Sequence, residues 1–377
     1  MKMPTEHIQE EIRVSGAISF ARFMELALYC PETGYYEKKK DNVGRRGDFI
    51  TSVSVGSLFG ELLAFQFAGW LGDVQTSPGK LAIIEAGAHD GKLAADILNW
   101  LQIHRPKLFS DIEYCLVEPS SHRQSWQQET LKGFPNVRWF TGLDELRPAH
   151  KAETNWTGRK RVPPRRGILF SNELLDAFPV HRLGWDARKK RWFEWGVADD
   201  GEKFNWTRLP PAKRVTLPAT LLDLPPALLD VLPDNYTIEI SPAAENWWRA
   251  AAGIFPHGRL LAIDYGFTNE EMFSPGRTRG TLRAYSRHHV SDDLLADPGG
   301  QDLTAHVNFS AIQAAGESLG LRTETFCTQP QFLTRILGEA SKNDSLGAWD
   351  ARRTRQFQTL THPEHLGRAF RVLVQKR

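Results

Sequence analysis

Residues 81–98, LAIIEAGAHDGKLAADIL, limit what this chain can fold into more than any other stretch. Leu81, Ala82, Ile83 and Ile84 form a short apolar run closed by Glu85. From Lys92 onward Leu93, Ala94, Ile97, Leu98 and Leu101 recur at helical spacing. The pattern predicts a strand, a tight loop and a helix. In the loop, AGAHDG, Gly87 and Gly91 permit torsions and close approaches that a Cβ would block. Such a loop presents a ligand to the first turn of a helix, where free N–H groups and the helix dipole favour a carboxylate or phosphate.

Spacing excludes two ligand classes. The dinucleotide fingerprint G-x-G-x-x-G is absent, because Gly87 is followed by Ala88, His89, Asp90 and only then Gly91, and no Lys-Ser or Lys-Thr pair completes a P-loop. An acid closing the strand before a glycine-bearing loop is the pattern of class I S-adenosylmethionine-dependent methyltransferases. The methionyl end of that cofactor carries an ammonium, a carboxylate and a sulfonium, and so calls for an acidic group beside backbone donors. An ordinary βα turn of another α/β protein has the same local form, and the loop alone leaves both readings open.

At 377 residues the chain can bury a large core, as one domain with insertions or as two domains. Its 47 Lys and Arg nearly balance 45 Asp and Glu, which argues against a nucleic-acid partner. Cys30, Cys115 and Cys327 lie far apart, so neither a disulfide scaffold nor a cysteine zinc site is expected. The N-terminal MKMPTEHIQEEI is acidic and lacks an apolar signal core. No apolar run approaches the roughly 20 residues of a membrane span. The expectation is a cytoplasmic protein without membrane insertion.

From the N-terminus, Ile18, Phe20, Phe23, Met24, Ala27 and Leu28 trace one helical face, with Ser19 as a plausible N-cap. Pro31 and Gly34 then signal a turn. Gly47-Asp48-Phe49 reads as a turn and buried anchor, or as part of a loop over the site, ahead of a helix at 55–71. A second buried strand at 112–118 ends in Glu118, one βα unit beyond Glu85, where a carboxylate can accept hydrogen bonds from both ribose hydroxyls. A helix at 121–132 and the strand NVRWF follow. The basic segment 150–167 reads as a solvated loop.

Ile168, Leu169 and Phe170 form the next buried strand, with Asn172, Glu173 and Asp176 at its carboxyl end. Carboxylates crowded beside a core are costly unless they bind something cationic or polar. Capping a short helix is their other role. Residues 181–234 read as an insertion, with a hairpin turning at Asp186-Ala187-Arg188 and a Pro/Leu-rich loop. The sheet is expected to resume with YTIEIS, then a helix at 242–254, the strand HGRLLAIDYG ending at Asp264 and Tyr265, a long loop at 267–303, a strand near 305–309, a helix at 312–319, and closing strands TETFCT and AFRVLVQ. His288, His289 and His306 lack metal-ligand spacing, so no metal site is expected.

The ordered series FMELALYCPETGYY, GDFITS, FGELLA, EAGAHDGKLAADIL, LVEPS, SNELLDAFPVHRL, EISP, LLAIDYG, TLRAYSRHH and DLTAHVNF resembles the MidA family of methyltransferases. The resemblance covers residues 18–309 and, more loosely, the C-terminus. It implies an α/β fold: a seven-stranded class I methyltransferase (Rossmann-like) sheet with an added helical and loop region covering the site. It also implies S-adenosyl-L-methionine as cofactor and, as in the family's mitochondrial members, methylation of a protein arginine in support of respiratory complex I assembly. The protein acceptor would then be a subunit of the respiratory NADH dehydrogenase. By match of motif, Glu85, Gly87, His89 and Gly91 fall at the methionyl part, Glu118 at the ribose, and Asn172 with Glu173 on the cofactor or acceptor side. Asp48 and Thr51 belong to the covering loop.

For an arginine acceptor, Glu173 and Asp176 are the expected guanidinium grip, with Asp48 or Asp264 as substitutes. The expected organisation is a covering region at 1–75, core at 76–180, an insertion at 181–234, and further core at 235–377 carrying the loop insertion 267–303. Three positions depart from the family pattern: His89 replaces a glycine, Ser52-Val53-Ser54-Val55 replaces a proline and glutamate after Thr51, and Asn308 replaces an aspartate. The first bears on cofactor affinity and the others on acceptor specificity. A methyltransferase for a small molecule or another side chain, and a non-catalytic cofactor-binding assembly protein, are the alternatives.

Overall fold

A computed structural model describes residues 2–38, 51–72, 81–147, 166–218, 221, 224–286, 289–291, 293–342, 345–367 and 370–377. Its centre is a sheet whose main path has seven strands, labelled here in chain order: β1 (Leu81–Ala86), β2 (Ile112–Val117), β3 (Val137–Phe140), β4 (Arg166–Asn172), β5 (His257–Phe267), β6 (Arg322–Thr328) and β7 (Phe370–Lys376). They lie in the order β3-β2-β1-β4-β5-β7-β6. All neighbours from β3 to β5 are parallel, and β7 runs antiparallel to both β5 and β6. The short strand Val307–Asn308 adds to the end of β5 in parallel.

The apolar runs follow from burial on both faces, because successive strand residues point to opposite sides. Ile83, Ile168, Phe170, Leu261, Ile263 and Val372 enter one core with helices Leu58–Gly72, Lys92–His104 and Gln329–Lys342. Their neighbours Ala82, Ile84, Leu169, Leu260, Ala262 and Leu373 enter the other, with helices Pro242–Ala252 and Phe309–Glu317. Strand order reverses between β1 and β4, and ligands of open α/β sheets bind outside the carboxyl ends at such a point.

Several expectations hold locally. Ser19 caps the helix Phe20–Tyr29, its side chain accepting the Arg22 N–H. The helix expected at 55–71 is instead a 3-10 turn, Val53–Val55, then the helix Leu58–Gly72; Gly56 between them has φ 144°, which no helix continues through. Thr237–Ile240, read as the point where the main sheet resumes, pairs antiparallel with His181–Asp186. It belongs to a second sheet with Ile18–Ser19, Arg191–Asp199 and Phe204–Arg208. A short apolar strand carries no mark of which sheet it will join. The hairpin of that sheet turns over 187–190, one residue later than expected, because Asp186 stays in the strand and accepts the Lys189 N–H. The expected loop at 267–303 carries strands Arg283–Ser286 and His289–Ser291, joined by Asp302–Thr304. A third core unites the N-terminal helices with these insertions through Ile8, Phe20, Met24, Val197, Ala284 and Leu303.

Phe170 is fully buried at the centre of β4, its ring 5.1 Å from that of Phe67. Phe170→Ala is expected to destabilise the protein by about 3–5 kcal/mol, read from a denaturant unfolding curve.

Candidate active site

The carboxyl ends of β1, β2 and β4 open onto a cavity of about 1120 Å³. That exceeds the roughly 300–1,000 Å³ of a typical single-ligand site, leaving room for a donor and an acceptor together.

Glu85 closes β1, buried, and accepts a 2.6 Å hydrogen bond from the Tyr114 hydroxyl. Burial pushes its carboxyl up to about 8. Beyond it the chain turns through Gly87 (φ 75°), His89 (φ 47°) and Gly91 (φ 82°) into the helix Lys92–His104. A Cβ on Gly87 would stand 2.8 Å from Leu174 Cδ1, so the loop lies close to the turn that follows β4. His89 adopts the left-handed region that usually favours glycine. Its ring sits 6.2 Å from Trp126.

Glu118 follows β2 and is almost wholly buried. Its Oε1 accepts the Ser120 N–H at 3.0 Å and pairs with Arg123 at 3.0 Å; its Oε2 accepts from Gln127 Nε2 at 3.3 Å. Burial raises its pKa, with Arg123 opposing. Gln127 is the residue that sequence reasoning missed here. The same Nε2 donates to the His89 carbonyl at 3.1 Å, and Gln127 Oε1 accepts from Trp139. One amide thus ties the two acid-bearing loops together. A fully buried glutamine on the helix Ser121–Leu131 was the available signal, and only packing exposes it.

On the strand next to β1, Asn172 closes β4 and donates to Glu173 Oε1 at 3.0 Å. Asn172 Oδ1 is buried and accepts no hydrogen bond in the structure. Glu173 has φ 52°, and its carboxylate also accepts the Ser52 N–H at 3.0 Å. Burial pushes it up to about 8. Thr51 and Ser54 brace that contact reciprocally: Thr51 N–H donates to Ser54 Oγ and Ser54 N–H to Thr51 Oγ1. The turn that replaces the family's proline and glutamate therefore serves Glu173 through its backbone. Asp176 is raised well above the usual carboxylate range by burial, then by the charges of Asp264, Asp302 and Glu173.

Asp264 is not a free grip. Its Oδ2 accepts the N–H groups of Leu174 and Leu175 and its Oδ1 that of Tyr265. Burial raises both members of the Asp176–Asp264 pair. These N–H bonds oppose the rise on Asp264. Glu85, Gly87, His89, Glu118, Asn172, Glu173, Asp176 and Thr51 all line the one cavity, whereas Gly91 is not among its lining residues and turns toward Leu131 and Gln127. Asp48 lies outside the described residues. Asn308 is not among the residues lining this cavity. It caps the helix Phe309–Glu317, accepting the Ala311 N–H, and donates to Asn269. Tyr29, Tyr36, Arg283, Tyr285, Asp302 and His306 also line it, none of them a candidate from sequence. They come from the N-terminal helices and from 267–306, segments that meet only in the folded chain.

A sheet in the order β3-β2-β1-β4-β5-β7-β6, with one acid near the end of β1 and another just after β2, defines a class I methyltransferase core. The profile of a family of S-adenosyl-L-methionine-dependent methyltransferases matches residues 62–327, and the chain belongs to that family, the MidA-like methyltransferases. It is 28% identical to the zebrafish (Danio rerio) protein named "Protein arginine methyltransferase NDUFAF7, mitochondrial", over 97% of this chain and 85% of that protein. The mouse (Mus musculus) protein of the same name is 29% identical over 97% and 82%. A crystal structure of a superfamily member from Burkholderia thailandensis, bound to S-adenosyl-homocysteine, aligns with a TM-score of 0.79 at 30% identity, covering 99% of this chain and 92% of that one. The expectation of a cytoplasmic protein is overturned by these relatives, which are named as mitochondrial. An acidic N-terminus is therefore no guide to compartment here. Among the described residues, no helix is long and apolar enough to cross a membrane.

The residues present fit S-adenosylmethionine. Gly87 brings the loop backbone to the cavity, the Asn172 Oδ1 is a buried acceptor without a hydrogen bond, and buried acids stand at the ends of β1 and β2.

Glu85 and Glu173 carry raised values in the fold, so their contribution to stability is present in full below about pH 4 and is lost as pH rises through about 8. The ligand-free protein is expected to show a falling thermal midpoint from pH 5 to pH 8, measured by calorimetry, and Glu173→Gln is expected to flatten that slope.

Proposed function

We propose that this chain is a protein arginine N-methyltransferase that supports assembly of a respiratory NADH dehydrogenase, with a subunit of that enzyme as acceptor. The observation that carries the reading is the pair of carboxylates, half-buried Glu173 and buried Asp176, on the turn after β4 in the same cavity as Glu85 and Glu118. Burial holds their charge back until a cation arrives. A guanidinium stays protonated at any physiological pH and offers planar N–H donors suited to carboxylates. The names of the zebrafish and mouse relatives support the same acceptor class.

When bound, S-adenosylmethionine supplies a methyl group activated by its sulfonium. Glu85 and the backbone at Gly87–Gly91 would hold its ammonium and carboxylate, and Glu118 its ribose hydroxyls. Residues 1–75 would cover the site, with the Ser52 N–H holding Glu173 and Thr51 bracing that turn through Ser54. Glu173 and Asp176 accept guanidinium N–H groups and draw its positive charge away from the reacting nitrogen. As the nitrogen–carbon bond forms and the sulfur–carbon bond breaks, one of the two takes the proton that the nitrogen loses. Fixing the two reactants in one dry cavity can lower the barrier by roughly 7–11 kcal/mol in favourable cases.

Glu118→Gln is expected to weaken S-adenosylhomocysteine binding by about 1.5–3 kcal/mol, read by calorimetric titration; unchanged affinity removes Glu118 from the donor site. For the acceptor, membranes containing NADH dehydrogenase from cells lacking this protein are incubated with methyl-labelled S-adenosylmethionine and the purified enzyme, then hydrolysed. Labelled methylarginine is expected, with Glu173→Gln and Asp176→Asn slowing its formation roughly 10²–10⁴-fold. Label on another side chain or on a small molecule overturns the arginine reading.

A further inference from the structure

Asp302 is buried to within 1% of complete exclusion from solvent, yet it lines the same cavity. It opens the strand Asp302–Thr304, whose neighbour Arg283–Ser286 pairs Tyr285 directly with Asp302. That strand is anchored against the turn carrying Asp176, because the Ala305 N–H donates to the Asp176 carbonyl at 2.9 Å. The two carboxylates are close enough for each other's charge to matter: after burial, Asp264 and Asp302 are the leading causes of the raised Asp176 value. Two acids lining one space present acceptors to more than one edge of a cation that enters it.

Asp302 is also aimed. The Tyr36 hydroxyl donates to its Oδ1 at 2.8 Å. Tyr36 is itself fixed on the short helix Tyr35–Lys38, with its ring 5.5 Å from Tyr29 and 5.2 Å from Tyr35. Tyr29 is tied by its hydroxyl to the Ala177 carbonyl at 2.9 Å, next to Asp176. On the other flank Glu37 accepts from Ser120 Oγ at 2.7 Å, and Arg123, the partner of Glu118, stands 5.8 Å from the Tyr36 ring. One helical turn thus touches Ser120 and Arg123, two partners of Glu118, at one end and Asp302 at the other.

We propose that Asp302 is a second jaw of the acceptor socket, opposing Asp176 across the cavity, and that Tyr36 is the positioning residue that fixes its carboxylate, so that the socket selects a planar guanidinium over an alkylammonium. The proposal rests on the arginine reading of the site and extends it to a specificity-determining pair. Two carboxylates on different loops, with tyrosine rings beside them, match a flat cation that donates along two edges and stacks on its faces. A lysine-like ammonium is a compact point charge and gains little from that separation.

The test uses the full-length protein saturated with S-adenosylhomocysteine and titrated with n-propylguanidinium or n-butylammonium chloride, affinities being taken from the shift of the thermal midpoint at constant ionic strength. Wild type is expected to prefer propylguanidinium. Asp302→Asn is expected to lose roughly tenfold or more of that affinity while still binding S-adenosylhomocysteine. Tyr36→Phe, which keeps every charge, is expected to lower the guanidinium-to-ammonium ratio with little change in butylammonium affinity. That ratio is a readout a merely structural role would leave alone, and it serves if Asp302→Asn does not fold. A guanidinium preference that survives in both variants overturns the role of Asp302 and Tyr36 while leaving the arginine reading intact. A wild-type protein with no preference overturns both.

Discussion

The turn after β4 depends on one buried carboxylate that does not itself line the cavity. Asp264, at the end of β5, accepts backbone N–H groups from Leu174, Leu175 and Tyr265. A turn between two buried elements would otherwise leave those donors unsatisfied, at a cost of about 1–3 kcal/mol each. The bonds hold the chain after β4 in place. Glu173 keeps its left-handed torsion there, its N–H donating to the Ile263 carbonyl. Asp176 is thereby set inside the cavity as a group whose pKa burial and neighbouring charge raise. A strained, acid-rich turn persists because the sheet edge beneath it over-determines its backbone.

The donor end is held by a different device. Glu85 and Glu118 stand on adjacent parallel strands, and side-chain bonds to neighbours, not only to each other's loops, fix them: Tyr114 for the first, Arg123 and Gln127 for the second. Because Gln127 also holds the His89 carbonyl, the loop carrying His89 remains tied to Glu118. The two ends are then joined across the top by Tyr35–Lys38, through Glu37 to Ser120 and Tyr36 to Asp302. Donor and acceptor geometry are consequently parts of one hydrogen-bonded frame, which suits a reaction whose rate depends on holding two reactants in line.

Much of this frame was legible in the chain. The apolar run 81–84 with its closing acid, the helix beginning at Lys92 and the second acid at Glu118 are local signals, set by strand and helix periodicity and by the torsions that glycine allows. The ordered motifs carried the family, which the matching profile and the Burkholderia thailandensis structure bear out. Misreadings fell where pairing, not propensity, decides. Thr237–Ile240 has the composition of a core strand but joins the second sheet, and the supposed loop at 267–303 contains strands that exist only because they pair with one another.

The sequence by itself determined the alternation of buried strands and helices, the two acids at the strand ends and the glycine-lined turn, because each depends on residues a few positions apart. Only the tertiary structure decided that Tyr36 reaches Asp302, that Asp264 serves the turn after β4, and that Gln127 spans two loops. Those contacts join residues far apart in sequence, and no local preference encodes them. They are fixed by the requirement that polar groups buried together find partners, a condition that only the completed packing imposes.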